Sequence, residues 1–277
     1  MRQLLDAATC MPFPTSERIS YRANTLAEVV CQLRFPQVLA ISSDPVAFQE
    51  IVRGQFPLYS VEDPTPGMPA EFAELLAGHM PTQTLQRTHR FADADEKARV
   101  GLSANFVAFS TNQYSRWETF AESLEHARDA LERVYHPAFY ERVGLRYRNV
   151  IDRAALGLDG VPWSALINSA VLGPVGDDAL VGDVRQTSSR AVFDVGLEIG
   201  ARALLQWGLA DVQPGGGEPL APARSAYFLD CDYSTEERTA SDAIADTLSR
   251  LHRLSGDVFQ WAILPRLAEA LGPDVAD

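Results

Sequence analysis

Lysine is almost absent from this chain of 277 residues. Of its 24 basic residues only Lys97 is a lysine, and the others are arginines. A P-loop needs a lysine after a glycine-rich turn, and Schiff-base chemistry needs a desolvated lysine. Lys97 lies instead in the acidic run FADADEKARV, which is typical of a hairpin turn. The sequence therefore excludes both of these site classes.

Cysteine is also scarce. The three cysteines, Cys10, Cys31 and Cys231, are an odd number and include no CxxC pair. The local sequence therefore encodes neither a disulfide framework nor a zinc site, and a reducing compartment fits best. Cys31 and Cys231 alternate with polar positions on predicted strands. We therefore expect both thiols to be buried and inert rather than nucleophilic.

Long apolar runs are missing as well. No stretch approaches the roughly 18 apolar residues of a membrane-spanning helix. The first residues, MRQLLDAATC, resemble a lipoprotein leader, but Asp6 interrupts an apolar run that is too short for a signal sequence. We expect a cytoplasmic protein without membrane contact, whose residues 1–20 form a loosely ordered leader.

Positive charge is in deficit, and catalytic motifs are absent. The net charge is -13 at pH 7, so a nucleic acid would meet a repulsive field unless arginines gather on one surface. The motifs GxSxG, HExxH and GxGxxG do not occur, nor does a Ser-His-Asp arrangement. The sequence names no catalytic residue, and we expect neither a cofactor nor a metal.

The first half, residues 21–141, has the pattern of a strand, two short helices, three strands and a long helix. LAEVVCQLRFP alternates as a half-buried strand does. SSDPVAFQEIVRGQFP and PAEFAELLAGHM have helical spacing, and TLQRTHRFA, RVGLSAN and FVAFSTNQ are typical of antiparallel strands. Apolar residues then recur every three or four positions from Trp117 to Leu131, which predicts a long amphipathic helix that ends or bends at Pro137.

The second half, residues 142–277, repeats this order. VGLRYRNVI predicts a strand, PWSALINSAVLG a short helix, and DVRQTSSRAVFDVG, LEIGARALLQWGLADV and SAYFLDCDYS three strands. TEERTASDAIADTLSRLHRLSGDVFQWAILPRL predicts a closing long helix, and QPGGGEPLAPAR a flexible loop. We therefore predict an α+β fold in which duplicated β-α-β-β-β-α units form a single compact domain. Its expected core is one curved antiparallel sheet with the long helices packed on one face.

The strand RVGLRYRNVID carries unusual charge. Arg146 and Arg148 alternate away from Leu145 and Tyr147, so we expect both arginines on the face of the sheet without helices. In the first half Arg34 alternates in the same way, and the duplication makes it the counterpart of Arg146. The last strands of the two halves add an amide and two carboxylates. The candidate binding residues are therefore Arg34, Arg146, Arg148, Asn112, Asp230 and Asp232.

Two chemical readings of these polar residues compete with simpler ones. Asp230 and Asp232 have the D-x-D form that can hold a divalent cation, but no histidine or third carboxylate is close in sequence. Solvated or arginine-paired aspartates are the simpler interpretation. His89 has the chemistry of a general base, but a lone histidine on a strand is more often a partly exposed hydrogen-bonding residue.

The motifs EVVCQLRFP, FQEIVRGQFP, STNQYSRWETF and RVGLRYRN together resemble a sporadically distributed family of uncharacterised prokaryotic proteins of about this length. The resemblance covers nearly the whole chain from Tyr21. It implies a relative and no function, because that family supplies no activity, cofactor or catalytic residue to carry over.

Three functions stay open. The favoured one is a non-enzymatic binding or adaptor protein that holds a partner on the sheet face or an edge. The partner is a protein encoded by an adjacent gene, or a small anionic ligand. The alternative is an enzyme whose site is assembled from both halves around Arg34, Arg146, Asp230 and Asp232. A nucleic-acid binder with a local arginine surface is the third and least favoured.

Overall fold

The protein combines helices with a large antiparallel sheet of nine strands. The computed structural model describes residues 12–43, 45–62, 87–177, 179–195, 200–212 and 224–274. The predicted helix PAEFAELLAGHM and residues 213–223 of the predicted glycine-proline loop lie outside these ranges. Among the described helices none is both long enough and apolar enough to cross a membrane.

The described part of the chain contains eleven strands and five α-helices. The strands are β1 Ser20–Tyr21, β2 Leu26–Arg34, β3 Leu58–Glu62, β4 Thr88–Ala92, β5 Ala98–Ser103, β6 Phe106–Thr111, β7 Arg142–Ile151, β8 Ser189–Asp194, β9 Ala201–Val212, β10 Arg224–Thr235 and β11 Pro273–Asp274. The helices are α1 Leu39–Ser43, α2 Val46–Val52, α3 Trp117–Tyr135, α4 Ile244–Ala262 and α5 Pro265–Leu271. The nine strands are ordered β3-β4-β5-β6-β2-β7-β10-β9-β8, and β1 pairs with β11 in a separate ribbon.

The chain divides into two compact units. Unit 1 comprises the described residues of Met1–Val29, Val143–Glu237 and Asp242–Asp277, and unit 2 those of Val30–Arg142 and Arg238–Ser241. The predicted halves meet at residues 141 and 142, whereas the N-terminal residues up to Val29 group with unit 1.

In unit 2 the strands β3 to β6 follow one another as an antiparallel meander. The predicted hairpin turn joins β4 to β5, where the Lys97 backbone N–H donates to the Asp93 carboxylate at 2.7 Å. The predicted amphipathic helix is α3, which buries Phe120, Leu124 and Leu131. It ends at Tyr135, immediately before a left-handed residue, His136 (φ 49°), and Pro137.

One strand of unit 2 was not predicted. β3 has the sequence LYSVE, and all five of its residues are exposed. Tyr59 and Val61 alternate with Ser60 and Glu62 over four positions only, which is the shortest alternation that indicates a strand.

Two predicted helices of unit 1 are wrong in detail. PWSALINSAVLG forms short 3-10 turns rather than one helix. The closing helix is interrupted after Ala262, because Ile263 and Leu264 are extended and Pro265 begins a second helix. A proline is well tolerated at the first position of a helix but lacks the N–H that a continuing helix requires.

The sheet of unit 1 has a helix side and an outer side. Tyr147 on β7 hydrogen-bonds through its hydroxyl to His252 Nδ1 on α4 at 2.8 Å. Side chains alternate along a strand, so Arg146 and Arg148 point to the opposite side of β7 from Tyr147. The predicted separation of the apolar residues from the arginines of this strand is confirmed within unit 1.

The N-terminal segment is packed onto unit 1 from Phe13. Phe13 is buried against Phe193 and Trp261 in edge-to-face ring contacts. The Ser16 backbone N–H and hydroxyl both donate to Oδ1 of the buried Asp257 on α4, at 2.7 and 2.9 Å. Part of the predicted leader therefore carries specific contacts, and residues 1–11 lie outside the described chain.

Candidate binding site

The outer side of the unit 1 sheet, which we call the charged face, carries four of the six candidate residues. The strand register sets its side chains in rows that cross the four strands. One row is Arg148, Asp230, Gln206 and Arg190, and the next is Arg146, Asp232, Leu204 and Val192. All eight residues belong to unit 1.

Arg146 is held by Asp230 through two hydrogen bonds. Its Nε donates to Asp230 Oδ1 at 2.7 Å, and its Nη2 donates to Oδ2. The bond runs diagonally, because Asp232 rather than Asp230 lies directly across from Arg146. A bidentate pair of this kind is among the strongest polar contacts in proteins and fixes the orientation of both planes.

Arg146 keeps its positive charge within this pair. The hydrogen bonds to Asp230 raise the pKa of Arg146 and outweigh its partial burial, and the negative charges of Asp230, Asp232 and Glu28 add to the rise. Asp230 is only 5% exposed, so its carboxylate depends on Arg146 for compensation. In the structure Asp230 is therefore paired with an arginine and is not fully solvated.

Arg148 differs from Arg146 although the two lie on the same face. It is half-buried and directly across from Asp230. Both oxygens of that carboxylate already accept from Arg146. Among the residues that the structure describes, Arg148 has no hydrogen-bond or ion-pair partner. Its guanidinium is therefore available to an acceptor from outside the chain.

The other polar groups of the charged strand have internal partners. Asn149, which lies on the helix side and is buried, accepts a hydrogen bond from the Thr25 hydroxyl at 2.8 Å. Arg142 in unit 2 donates to Gln32 at 3.4 Å. Of the polar residues of this strand, Arg142, Arg146 and Asn149 thus make contacts within the chain, and Arg148 differs from them.

Cys231 lies between the two aspartates but on the helix side. Burial raises the pKa of its thiol to about 12, and the charges of Asp230 and Asp232 contribute to the rise. Cys31 is fully buried on β2. The predicted burial of both cysteines is confirmed, and a thiol with such a high pKa is a poor nucleophile at neutral pH.

A metal-binding arrangement is not found in the described chain. Within the described ranges no three His, Cys, Asp or Glu residues are grouped so that they could hold a metal ion. The two aspartates of the D-x-D sequence do not form a joint cation site, since Asp230 is paired with Arg146, as the simpler interpretation of the sequence has it.

Two candidate residues belong to unit 2. Arg34 is the last residue of β2 and is half-buried, and its Nε is buried without a hydrogen-bond partner among the described residues. Asn112 is exposed just after β6, where its backbone N–H donates to the Lys97 carbonyl at 3.1 Å. The four-residue enzyme site of the alternative hypothesis would need residues of both units, and unit 1 brings together only Arg146, Asp230 and Asp232.

His89 in unit 2 is not the partly exposed residue that the sequence favours. It is 3% exposed, and both ring nitrogens are engaged. Nε2 lies 3.1 Å from the Ile41 carbonyl, which can only accept, so Nε2 carries the proton. Nδ1 then accepts from the Tyr59 hydroxyl at 2.9 Å. With both nitrogens occupied, His89 is a structural residue rather than a base.

The sequence did not predict that residues of β8 and β9 belong to the charged face. Gln206 and Leu204 alternate with buried residues of β9, and Val192 on β8 is 50% exposed. The alternation of ARALLQW contains a signal for the outer positions of β9. Their proximity to Arg146 and Arg148 depends on the pairing register of distant strands, which the alternation does not specify.

Unit 2 also contains an open hollow that the sequence does not reveal. It has a volume of about 280 Å³ and lies at the N-terminal end of α3. Arg116, Thr119 and Lys97 line it together with Asp93 and Asp95. Because cations and carboxylates both line it, its charge selects no particular ligand.

Comparison with known proteins leaves the family open. No protein-family model and no curated protein matches the chain. The resemblance carried by EVVCQLRFP, FQEIVRGQFP, STNQYSRWETF and RVGLRYRN therefore stays a prediction.

Proposed function

We propose that the protein is a non-enzymatic binding protein that holds its partner on the charged face, with Arg148 as the principal contact. The observation that carries this proposal is the contrast between two arginines on one strand. Arg146 has both hydrogen bonds of a bidentate pair, whereas Arg148 has no acceptor among the described residues. The free guanidinium favours a partner that presents a carboxylate or another anion.

The surroundings of Arg148 support a protein partner. Gln206 follows Asp230 in its row and offers both a donor and an acceptor. Leu204 and Val192 in the next row provide apolar area beside the charges. Protein interfaces commonly combine an arginine anchor with apolar contacts and hydrogen bonds. A small anion would use Arg148 but not Leu204 and Val192.

The net charge of the chain also bears on the class of partner. The chain carries a net charge of -13, which disfavours a nucleic acid as the source of the anion. A segment with one exposed carboxylate and apolar neighbours fits the charged face better. We propose that this partner is encoded by an adjacent gene and that both proteins act in the cytoplasm, with the buried free thiols Cys31 and Cys231 consistent with a reducing compartment.

The experiment is a capture assay with tagged protein in extracts of the source cells. Arg148→Ala is compared with Arg250→Ala, which removes a half-buried arginine from α4 in the same unit, where it is paired with Asp246. Arg148→Ala should reduce the captured partner about tenfold or more, the effect of losing a charge-assisted hydrogen bond. Arg250→Ala should leave capture unchanged. Equal capture by both variants would remove the charged face from the account.

We also propose that the two halves of the chain, residues 21–141 and 142–277, arose by duplication and that the sheet is curved. In each half a meander of strands is followed by a helix of 19 residues, α3 or α4. In an experimental structure, Leu33-Arg34-Phe35 should superpose on Leu145-Arg146-Tyr147. A best superposition that leaves these strands out of register would contradict the duplication.

A further inference from the structure

Among the residues that the structure describes, β3 is an edge strand with no strand on its outer side. It is the terminal strand of the sheet order, and within the described ranges it pairs with β4 alone, in five consecutive register pairs without a bulge. Leu58, Tyr59 and Val61 are 43%, 45% and 38% exposed. Tyr59 contacts His89 and Phe91, so the odd-numbered residues of β3 continue the apolar layer of the core to the very edge.

The other terminal strand of the sheet order, β8, is protected in ways that β3 is not. On β8 exposed residues alternate with half-buried ones, and the exposed Val192 stands between Arg190 and Asp194. Charges on an edge strand discourage the addition of another strand. β3 has no lysine, proline or bulge, and its one charged residue, Glu62, is the last of the strand. Such an edge is a template for strand addition.

We propose that β3 pairs with β3 of a second copy of this chain, antiparallel and about a two-fold axis at Ser60. In this register Tyr59 lies across from Val61 of the second copy, and Val61 across from its Tyr59. Aromatic and β-branched residues form favourable cross-strand pairs. A two-fold interface makes each such contact twice, and no further copy can add to it. This surface lies in unit 2 and is independent of the charged face.

The placement of charge fits a second copy in this register. Glu62 of one copy lies across from Leu58 of the other, so the two Glu62 side chains are about 14 Å apart along the strands. This distance exceeds the screening length of about 10 Å at 0.1 M salt. Arg90 also lies 3.4 Å from Glu62 and balances it within each copy. A parallel pairing would instead bring the two Glu62 residues together, where like charges destabilise a sheet.

Salt should strengthen this association. Each copy has a net charge of -13, so two copies repel one another at long range. Added salt screens that repulsion, while the pairing of β3 depends on backbone hydrogen bonds and apolar contacts. A partner held by opposite charge would show the reverse dependence.

The test is sedimentation velocity of the full chain over a range of concentrations. The parent should show a concentration-dependent dimer, and Val61→Lys should raise the dissociation constant about tenfold or more. Val192→Lys is the matched control, because it places the same charge at an exposed valine of the other edge strand. It should leave the dimer intact. A monomeric parent at all concentrations, or a dimer that survives Val61→Lys, would overturn the proposal.

A second variant tests the register even if Val61→Lys fails to fold. In a Cys10→Ser background, Ser60→Cys places one thiol of each copy at the two-fold axis. Directly opposite residues of antiparallel strands are about 4.5 to 5.5 Å apart at Cα, a separation that a disulfide can span. Mild oxidation should therefore produce a covalent dimer, and Glu62→Cys in the same background should cross-link much less. Equal cross-linking, or a dimer only with Glu62→Cys, would contradict the two-fold axis at Ser60.

Discussion

Around His89 every polar group of the ring has a hydrogen-bond partner within the chain, whereas on the charged face one of two neighbouring arginines has none among the described residues. At His89 in unit 2 every ring nitrogen has a partner from the same unit, namely Tyr59 and the Ile41 carbonyl. On the charged face of unit 1, Arg146 is paired with Asp230 through two hydrogen bonds, and Arg148 two residues later has no acceptor among the described residues. A buried polar group that is fully satisfied serves the fold. A half-exposed cation without an internal partner is free to serve binding.

The largest effect is expected from removing the partner of Arg146. Asp230→Ala would leave a mostly buried guanidinium without its carboxylate, and we expect a loss of about 3 kcal/mol in the free energy of unfolding. Urea denaturation measures this loss. The control is Asp194→Ala on β8, whose side chain is 92% exposed and should change stability by no more than about 0.5 kcal/mol. Similar midpoints for both variants would show that the Arg146 pair contributes little.

The next effect concerns His89. His89→Phe leaves the Ile41 carbonyl without its donor in a buried place, and we expect a loss of about 2 kcal/mol. Tyr59→Phe removes only the hydrogen bond to Nδ1 and should cost about 1 kcal/mol. Thermal or urea unfolding distinguishes the two variants. If His89→Phe unfolds like the parent, the ring is not satisfied by these two partners.

Alkaline pH should destabilise the protein through Cys231. Burial raises the pKa of this thiol from 9.0 to about 12, so the folded state keeps a proton that the unfolded state has lost between these values. The stabilising contribution is therefore fully present below the unfolded pKa and is lost as pH rises toward the folded pKa, by about 1 kcal/mol per pH unit.

Unfolding of the parent and of Cys231→Ala between about pH 8 and about pH 10.5 measures this loss. The stability of Cys231→Ala should fall less steeply with pH. Parallel curves would show that Cys231 does not carry the effect. In addition, Cys31 and Cys231 should resist alkylation in the folded protein, and rapid labelling of either would contradict the burial of its strand face.

The smallest stability effect is expected at Arg148. A half-exposed side chain without a partner contributes little to folding, so Arg148→Ala should change the free energy of unfolding by no more than about 0.5 kcal/mol. Arg146→Ala should be clearly less stable, because it leaves Asp230 buried and uncompensated. Equal losses in both variants would erase the distinction between these arginines.

Local patterns in the sequence are sufficient to predict many of the helices and strands. The spacing of Phe120, Leu124 and Leu131 predicts α3, and the alternation around Leu145 and Tyr147 predicts β7 with its arginines on the outer side. These predictions succeed because one face of each element is buried, and burial of one face imposes a period on the sequence.

The remaining features depend on contacts that local patterns do not encode. β3 has five residues, all of them exposed, so burial of one face does not mark it as a strand in the sequence. The sequence also treats Arg146 and Arg148 alike, since both are outer residues of one strand. They differ because the register of β10 and the diagonal bond assign Asp230 to Arg146. Register between distant strands is a property of the whole sheet.

The most direct test of the role of Arg148 is a calorimetric titration with the purified partner from the capture assay. Arg148→Ala should bind it about tenfold more weakly than the parent, with an unchanged unfolding midpoint and a smaller dependence of affinity on salt. Arg250→Ala should match the parent in all three respects. An Arg148→Ala variant that folds normally and binds with the affinity of the parent would contradict the assignment of Arg148 as the binding residue.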